Sequence, residues 1–259
     1  MVLLAQISDL HLDGTERARE RAARVMDYLR ALPTPVDALL VTGDIADHGE
    51  PSEYQEAARI LAAPFPVLTC PGNHDARSPM RTALLGEPAG DGPINRMHLI
   101  GGTAILMCDS SIPGEDEGLL DAETLAWLSD TLDSLPAGTP ALVAFHHPPV
   151  RLHHPLPDTL MLQREEELAA LLAAHPEVAA VLTGHAHTAA ASTFAGRPLL
   201  IAPATTWTLR LPWEGDQAAD RAQPPALAFH VLDKEHSLDE QHRLTTHFRV
   251  VPRVADGQA

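Results

Sequence analysis

Five short stretches of this chain place imidazole, carboxylate or amide groups immediately after apolar runs. Asp9 and His11 follow "VLLAQIS", Asp44 follows "ALLVTG", and Asn73 and His74 follow "FPVLTC". His146 closes "ALVAFH", and His185 and His187 follow "VAAVLTG". Oxygen and nitrogen donors delivered together are what a divalent cation takes as ligands. A cation is in turn the usual source of an activated water and of charge neutralisation at a phosphoryl group. Taken singly, each residue has a plainer reading: Asp9 or Asp44 as a turn or cap residue, His146 as a hydrogen-bonded strand-end histidine. "GHAH" alone, or "GNHD" alone, carries little. Five such groups in order, each at the end of an apolar run, are hard to obtain from independent structural accidents.

The elements that must position these residues can be read from periodicity. Apolar runs at 2–8, 38–43, 65–70, 141–146 and 178–184 read as buried strands. Between them, 16–32, 51–63, 121–135 and 163–174 carry apolar residues at helical spacing. The segment 95–109 reads as a hairpin around Gly101-Gly102, and from about residue 190 the pattern turns β-rich. The loop 210–225 is followed by further strand-like runs, including one over 242–251, so the expectation is one α/β domain spanning 1–259. In open α/β sheets the crevice outside the carboxyl ends of the strands is where ligands bind. On extended backbone, the i, i+2 pairs Asp9/His11 and His185/His187 would project to one side.

Composition narrows the partners. The 259 residues are 45% hydrophobic, enough for a large core, and carry a formal net charge of -17. That balance excludes a nucleic-acid polymer, which needs a basic face, and an anionic membrane surface. A small anionic substrate is compatible with it only if bound cations reverse the local field. The two cysteines, Cys70 and Cys108, end apolar runs and read as buried thiols of a reducing compartment. No leader or membrane-length run is present, so a soluble cytoplasmic protein is expected.

The ordered set "ISDLH", "TGDIADHGEPSEY", "PGNHD", "FHHPP" and "TGHAH" resembles the calcineurin-like metallophosphoesterase superfamily, from about Gln6 to Thr206. The resemblance is closest to the class III cyclic nucleotide phosphodiesterases and the related glycerophosphodiesterases. It implies a four-layer αββα sandwich of two mixed β-sheets flanked by helices. It implies two metal ions (Mn, Fe, Zn or Co) about 3.5 Å apart. Asp9, His11, Asp44 and His187 would hold the first, and Asp44, Asn73, His146 and His185 the second, with Asp44 bridging. His74 would face the substrate together with Asn73 and protonate the leaving oxygen, its ring oriented by Asp47. The implied reaction is hydrolysis of small phosphodiesters, such as 3′,5′- or 2′,3′-cyclic nucleotides, by in-line attack of a metal-bridging hydroxide. It makes the chain a metal-dependent phosphoric diester hydrolase.

Other readings stay open at this stage. A glycerophosphodiesterase or another small-molecule phosphoesterase would use the same site. A non-catalytic scaffold on the same fold has no need of seven convergent ligands. A DNA-end nuclease is disfavoured by the negative charge, and a lipid-precursor pyrophosphatase by the lack of a long apolar insertion. Asp47 stands where purple acid phosphatases have Tyr, and His48 where protein phosphatases commonly have Arg, so both branches are disfavoured. Asp75 reads as a cap or turn residue, His147 as a structural neighbour, and His153 and His154 as solvated loop residues. Trp207 and Trp213 could line a base-binding wall or merely cover the sheet, and a homodimer remains open.

Overall fold

The computed structural model describes residues 1–233 and 243–252. Eleven main strands are taken in chain order: β1 Val2–Ile7, β2 Ala38–Thr42, β3 Val67–Cys70, β4 Arg96–Ile100, β5 Thr103–Met107, β6 Ala141–Ala144, β7 Val178–Thr183, β8 Ala190–Phe194, β9 Arg197–Ile201, β10 Ala226–Asp233 and β11 Arg243–Val250. The four longer helices are α1 Glu16–Arg30, α2 Pro51–Ile60, α3 Ala122–Asp133 and α4 Glu165–Ala174. One sheet runs β11-β10-β1-β2-β3 and the other β8-β9-β7-β6-β5-β4. In the first, β1, β2 and β3 are parallel while β10 and β11 join antiparallel. In the second, β5, β6, β7 and β9 are parallel and the two edges are antiparallel.

The two sheets pack face to face. Leu4, Leu40 and Leu68 of the first meet Ile105, Leu142 and Leu182 of the second in one buried cluster. The alternate residues of each sheet point outward. Ala5, Ile7, Leu39 and Val41 bury against Ala22, Val25, Met26 and Leu29 of α1 and Tyr54 and Ala57 of α2. Leu106, Val143 and Val181 bury against Leu128 and Leu132 of α3 and Leu168 and Leu172 of α4. Strands apolar on both faces are what a sheet covered on both sides requires. The layers are therefore helix, sheet, sheet, helix, as the resemblance implies.

The helices start where their caps dictate. Thr15 accepts a hydrogen bond from Ala18 N at the head of α1, and Asp121 from Thr124 N at the head of α3. Glu50 and Glu53 form a capping box before Pro51 in the first turn of α2. α1 and α2 stop two or three residues before the expected 32 and 63, ahead of Pro33 and Pro64, because the residue before proline disfavours helix. The β4–β5 hairpin turns at Gly101 and Gly102, both at positive φ (54° and 77°), the backbone that a two-residue primed turn requires. A short antiparallel pair, Thr208–Leu209 with Ala219–Asp220, closes off the first part of the loop 210–225. The first residue of the expected last strand, His242, and residues 253–259 lie outside the described residues.

Candidate metal centre

β1, β2, β3, β6 and β7 end at one shared edge, three from one sheet and two from the other. Backbone bonds stitch their exits together: Asp9 N donates to Gly43 O (3.1 Å), His11 N to Asp44 O (2.9 Å) and Gly184 N to His146 O (3.0 Å). The approach is close enough to dictate glycine. A Cβ on Gly43 would lie 2.4 Å from Nδ1 of His146, and one on Gly72 2.2 Å from Oδ1 of Asp44.

The expected extended geometry of the i, i+2 pairs is not what positions them. Asp9 (φ 54°), His11 (45°), Asp44 (48°), His185 (67°) and His187 (54°) are all left-handed. Each strand curls sharply as it leaves the sheet, and the curl aims the side chain inward. Asp and His are among the residues that enter this region most readily, yet non-glycine examples are uncommon. Five at one edge mark a place where backbone strain serves a site.

The side chains converge on one buried cluster. Nε2 of His11 lies 3.1 Å from Nε2 of His187 and 3.5 Å from Oδ2 of Asp44. The same Oδ2 lies 3.3 Å from Nε2 of His146. Oδ1 of Asp9 lies 3.4 Å from Nε2 of His187, and Nδ1 of His185 3.2 Å from Nε2 of His146. Donor atoms of Asp9, His11, Asp44 and His187 all fall within 4.8 Å of one another, as do those of His146, His147 and His185. Asn73 sits on the rim of the same cavity.

The outer ring nitrogens fix which nitrogen faces inward. Nδ1–H of His11 donates to Oδ1 of Asp47 (2.8 Å), that of His146 to Thr42 O (2.7 Å) and that of His187 to Trp207 O (3.0 Å). In the neutral ring each Nε2 is then a lone pair directed at the cluster, the arrangement that metal-binding histidines adopt. Lone pairs 3.1 Å apart repel unless a cation lies between them. Oδ1 of Asp9, Oδ1 of Asn73 and Nε2 of His185 are buried without a hydrogen-bond partner. Carboxylate, amide oxygen and neutral imidazole, orphaned together, fit hard or borderline divalent cations.

The local field draws positive charge. Burial opposes protonation of His146, but Asp44 beside it prevails and lifts its pKa to about 9. Burial also opposes charge on Asp44, yet His146 and His11 hold it well below the usual carboxylate range. Burial, reinforced by His146, pushes His185 down to about 3, and burial lowers His187. His185 and His187 are thus held neutral beside the ionised Asp44, the states that metal binding needs, whereas His146 in the metal-free chain carries a proton that a cation would displace.

His74 stands at the mouth of the site, its side chain 39% exposed. Its Nδ1 donates to the carbonyl oxygen of Asp47 (2.8 Å), while the Asp47 carboxylate stays 3.7 Å away. Asp47 thus orients His74 through its backbone, and its carboxylate is committed to His11. Asp75 is more than a turn residue. It is partly buried and accepts from Ile45 N (3.1 Å), Ala46 N (3.0 Å), Gly72 N (2.9 Å) and Tyr54 Oη (3.0 Å), tying the two ligand loops together. His154 is not solvated: it is buried, and Nε2–H donates to Arg210 O (2.9 Å) while Nδ1 accepts from Leu156 N (3.2 Å). His153 is exposed. His147 is buried with Nδ1 on Ser110 Oγ (2.8 Å). Trp207 lines the site and Trp213, 71% exposed, does not. Both cysteines are buried and unbridged.

The cluster floors a cavity of about 570 Å³ whose walls include Arg17, Leu156, Leu160, Trp207 and Arg221. Periodicity gave no sign of these wall residues. They are contributed by a helix face and two loops with no local motif.

The family model described as calcineurin-like phosphoesterase matches residues 2–189. A cAMP/cGMP dual specificity phosphodiesterase of Mycobacterium tuberculosis (strain CDC 1551 / Oshkosh) is 34% identical over 245 residues, covering 85% of this chain and 73% of that protein. The glycerophosphodiester phosphodiesterase GpdQ of Enterobacter lignolyticus (strain SCF1) is 31% identical over 255 residues, covering 94% and 91%. In fold, a dimetal phosphatase from Danio rerio superposes with a TM-score of 0.72 at 13% identity, over 97% of this chain and 96% of that one. Among the described residues no helix is long and apolar enough to cross a membrane.

Proposed function

The chain belongs to the calcineurin-like phosphoesterase family, and from that premise we propose that it is a phosphoric diester hydrolase for small phosphodiesters, with 3′,5′- or 2′,3′-cyclic nucleotides as the leading substrates. The observation that carries this reading is the position of Asp44, whose Oδ2 faces His11 on one side and His146 on the other. Asp9, His11, Asp44 and His187 would hold one divalent ion; Asp44, Asn73, His146 and His185 would hold a second. Such ions supply positive charge against phosphoryl oxygens and make a water acidic enough to attack at neutral pH.

The protein's own groups do the rest. Thr42, Asp47 and Trp207 hold three imidazoles in the ligating tautomer. His74, fixed at Nδ1 by the Asp47 carbonyl, presents Nε2 to the cavity. There it would donate a proton to the departing alkoxide, a poor leaving group without one. The amide of Asn73 contributes an oxygen and no charge.

Glycerophosphodiesters are the second reading, favoured by the GpdQ relative. We read the chain as one domain acting in the cytoplasm on small diesters, not on nucleic-acid polymers or membranes, with a homodimer open. A turnover panel tests the function: cyclic nucleotides, glycerophosphodiesters, an aryl diester and an aryl monoester, each with Mn²⁺. Diester turnover exceeding monoester turnover is expected. Turnover of the monoester alone, or of nothing with metal bound, would refute it and favour a silent scaffold.

A further inference from the structure

We propose that Trp207 and Arg221 form a recognition wall for a nucleobase, which makes the substrate a nucleoside phosphodiester rather than a glycerol one. The inference rests on the phosphodiesterase reading above and goes on to name the group that the outer cavity takes.

The wall is registered on the metal cluster. Thr205 N donates to Ser8 O (2.9 Å) and Thr206 N to Asp9 O (3.1 Å), so the two residues before Trp207 are zipped onto the first ligand loop. The Trp207 ring centre lies 3.9 Å from that of His187 and 6.3 Å from that of His11, the latter stacked at 29°. The indole is thus packed directly beside two rings of the cluster. Cζ of Arg221 lies 5.8 Å from the indole centre, over its face. Among the described residues no salt bridge joins Arg221 to a carboxylate. A guanidinium over an indole presents a flat, polarisable cationic surface, on which planar bases stack.

The wall is also rigid. Arg17 donates to Thr206 O (3.3 Å) and Arg221 O (2.5 Å). Arg21, buried in α1, donates to Thr205 O (2.9 Å) and Gln223 O (2.8 Å). Two arginines of one helix therefore clamp both strands of the loop that carries the wall. Leu156 and Leu160 also line the cavity, on a loop anchored by His154 to Arg210 O (2.9 Å). An aromatic and cationic face in a cavity with aliphatic lining accommodates a flat heterocycle. A glycerol or ethanolamine headgroup has no plane to place there.

The test is a ratio. The Mn²⁺-loaded enzyme is assayed on 3′,5′-cAMP and on glycerophosphoethanolamine, and kcat/KM is compared between wild type, Trp207→Leu, Trp207→Phe and Arg221→Gln. Base stacking predicts that Trp207→Leu lowers the cAMP-to-glycerol ratio about tenfold or more. Arg221→Gln, which leaves the indole on His187, should lower it in the same direction by a smaller factor, and Trp207→Phe should restore most of it. Binding of AMP to the metal-free chain, followed by NMR, should weaken in the same order. An unchanged ratio in both Trp207→Leu and Arg221→Gln, with both substrates losing rate together, would overturn the wall and reduce Trp207 to packing for His187. A wild type that turns over the glycerol diester but not cAMP would overturn the wall while sparing the phosphodiesterase reading. A wild type that turns over neither overturns both.

Discussion

Oδ1 of Asp47 lies 2.8 Å from Nδ1 of His11, closer than it comes to His74, the residue it is expected to orient. The bond lowers the pKa of Asp47, and it raises that of His11 against the opposing effect of burial. It also fixes the tautomer that leaves Nε2 of His11 free to ligate. Asp47→Ala should therefore weaken metal retention by about 10- to 100-fold, the usual cost of losing such an outer partner. Metal titration followed by calorimetry checks this. Unaltered affinity would show that His11 needs no carboxylate behind it.

For His74 the expectation separates chemistry from binding. His74→Ala should retain its metal content but lose about 10²- to 10⁴-fold in kcat on a cyclic nucleotide, the usual worth of a general acid. On an aryl diester, whose nitrophenolate leaves unprotonated, the loss should be much smaller. Equal losses on both substrates would leave His74 with charge stabilisation only.

Two aspartates of adjoining loops should behave differently. Asp44→Asn should fold and lose metal and activity together. Asp75→Asn should instead destabilise the fold by about 2–4 kcal/mol, because an amide nitrogen cannot accept two of the four donors now satisfied. Thermal unfolding and elemental analysis of the two variants distinguish these outcomes. An Asp75 variant as stable as wild type would contradict the loop-tying role.

Chelation should abolish turnover and Mn²⁺ should restore it. It should also lower Tm, since ligand at a hundredfold excess over Kd stabilises the native state by about 2.7 kcal/mol. Full activity in a chain shown to be metal-free would refute the assigned centre.

The pH dependence has a second source away from the cluster. His230 on β10 is buried between Thr246 Oγ1 (2.8 Å) and Gln6 Oε1 (2.9 Å), and Gln6 in turn donates to Thr42 Oγ1 and Thr183 O (both 3.0 Å), linking the two sheets. Burial depresses its pKa to about 3, against about 6.5 in the unfolded chain. Between those values the unfolded state takes up a proton that the native state refuses. Stability is thus complete above about pH 6.5 and is lost as pH falls toward 3, by up to about 1.4 kcal/mol per pH unit. His230→Gln should flatten the fall of Tm between pH 6.5 and 4.5 in metal-free protein. An unchanged slope would remove His230 from the account.

The central strands were legible because they are apolar on both faces and bounded by turn residues. The convergence of the candidate ligands was legible because each member follows a strand, where residue order and spatial order coincide. Two things were not. The left-handed backbone at Asp9, His11, Asp44, His185 and His187 is imposed by contacts between exits of different strands, which periodicity cannot register. The outer wall joins Trp207, already a candidate for that place, to Arg17, Leu156 and Arg221, which lie far apart in the chain and carry no shared pattern. His154 misled for a related reason: its Pro-rich surroundings suggest solvent, and only the distant Arg210 carbonyl buries it.

Those five left-handed residues set the protein's interests at odds. Glycine at any of them would relax the backbone at no steric cost. A redesign guided by thermal stability alone would choose these positions first and erase the centre one ligand at a time. Stability and catalysis draw on the same few torsion angles here, so a more heat-resistant form of this enzyme has to be sought in its helices and hairpins, away from the strand exits.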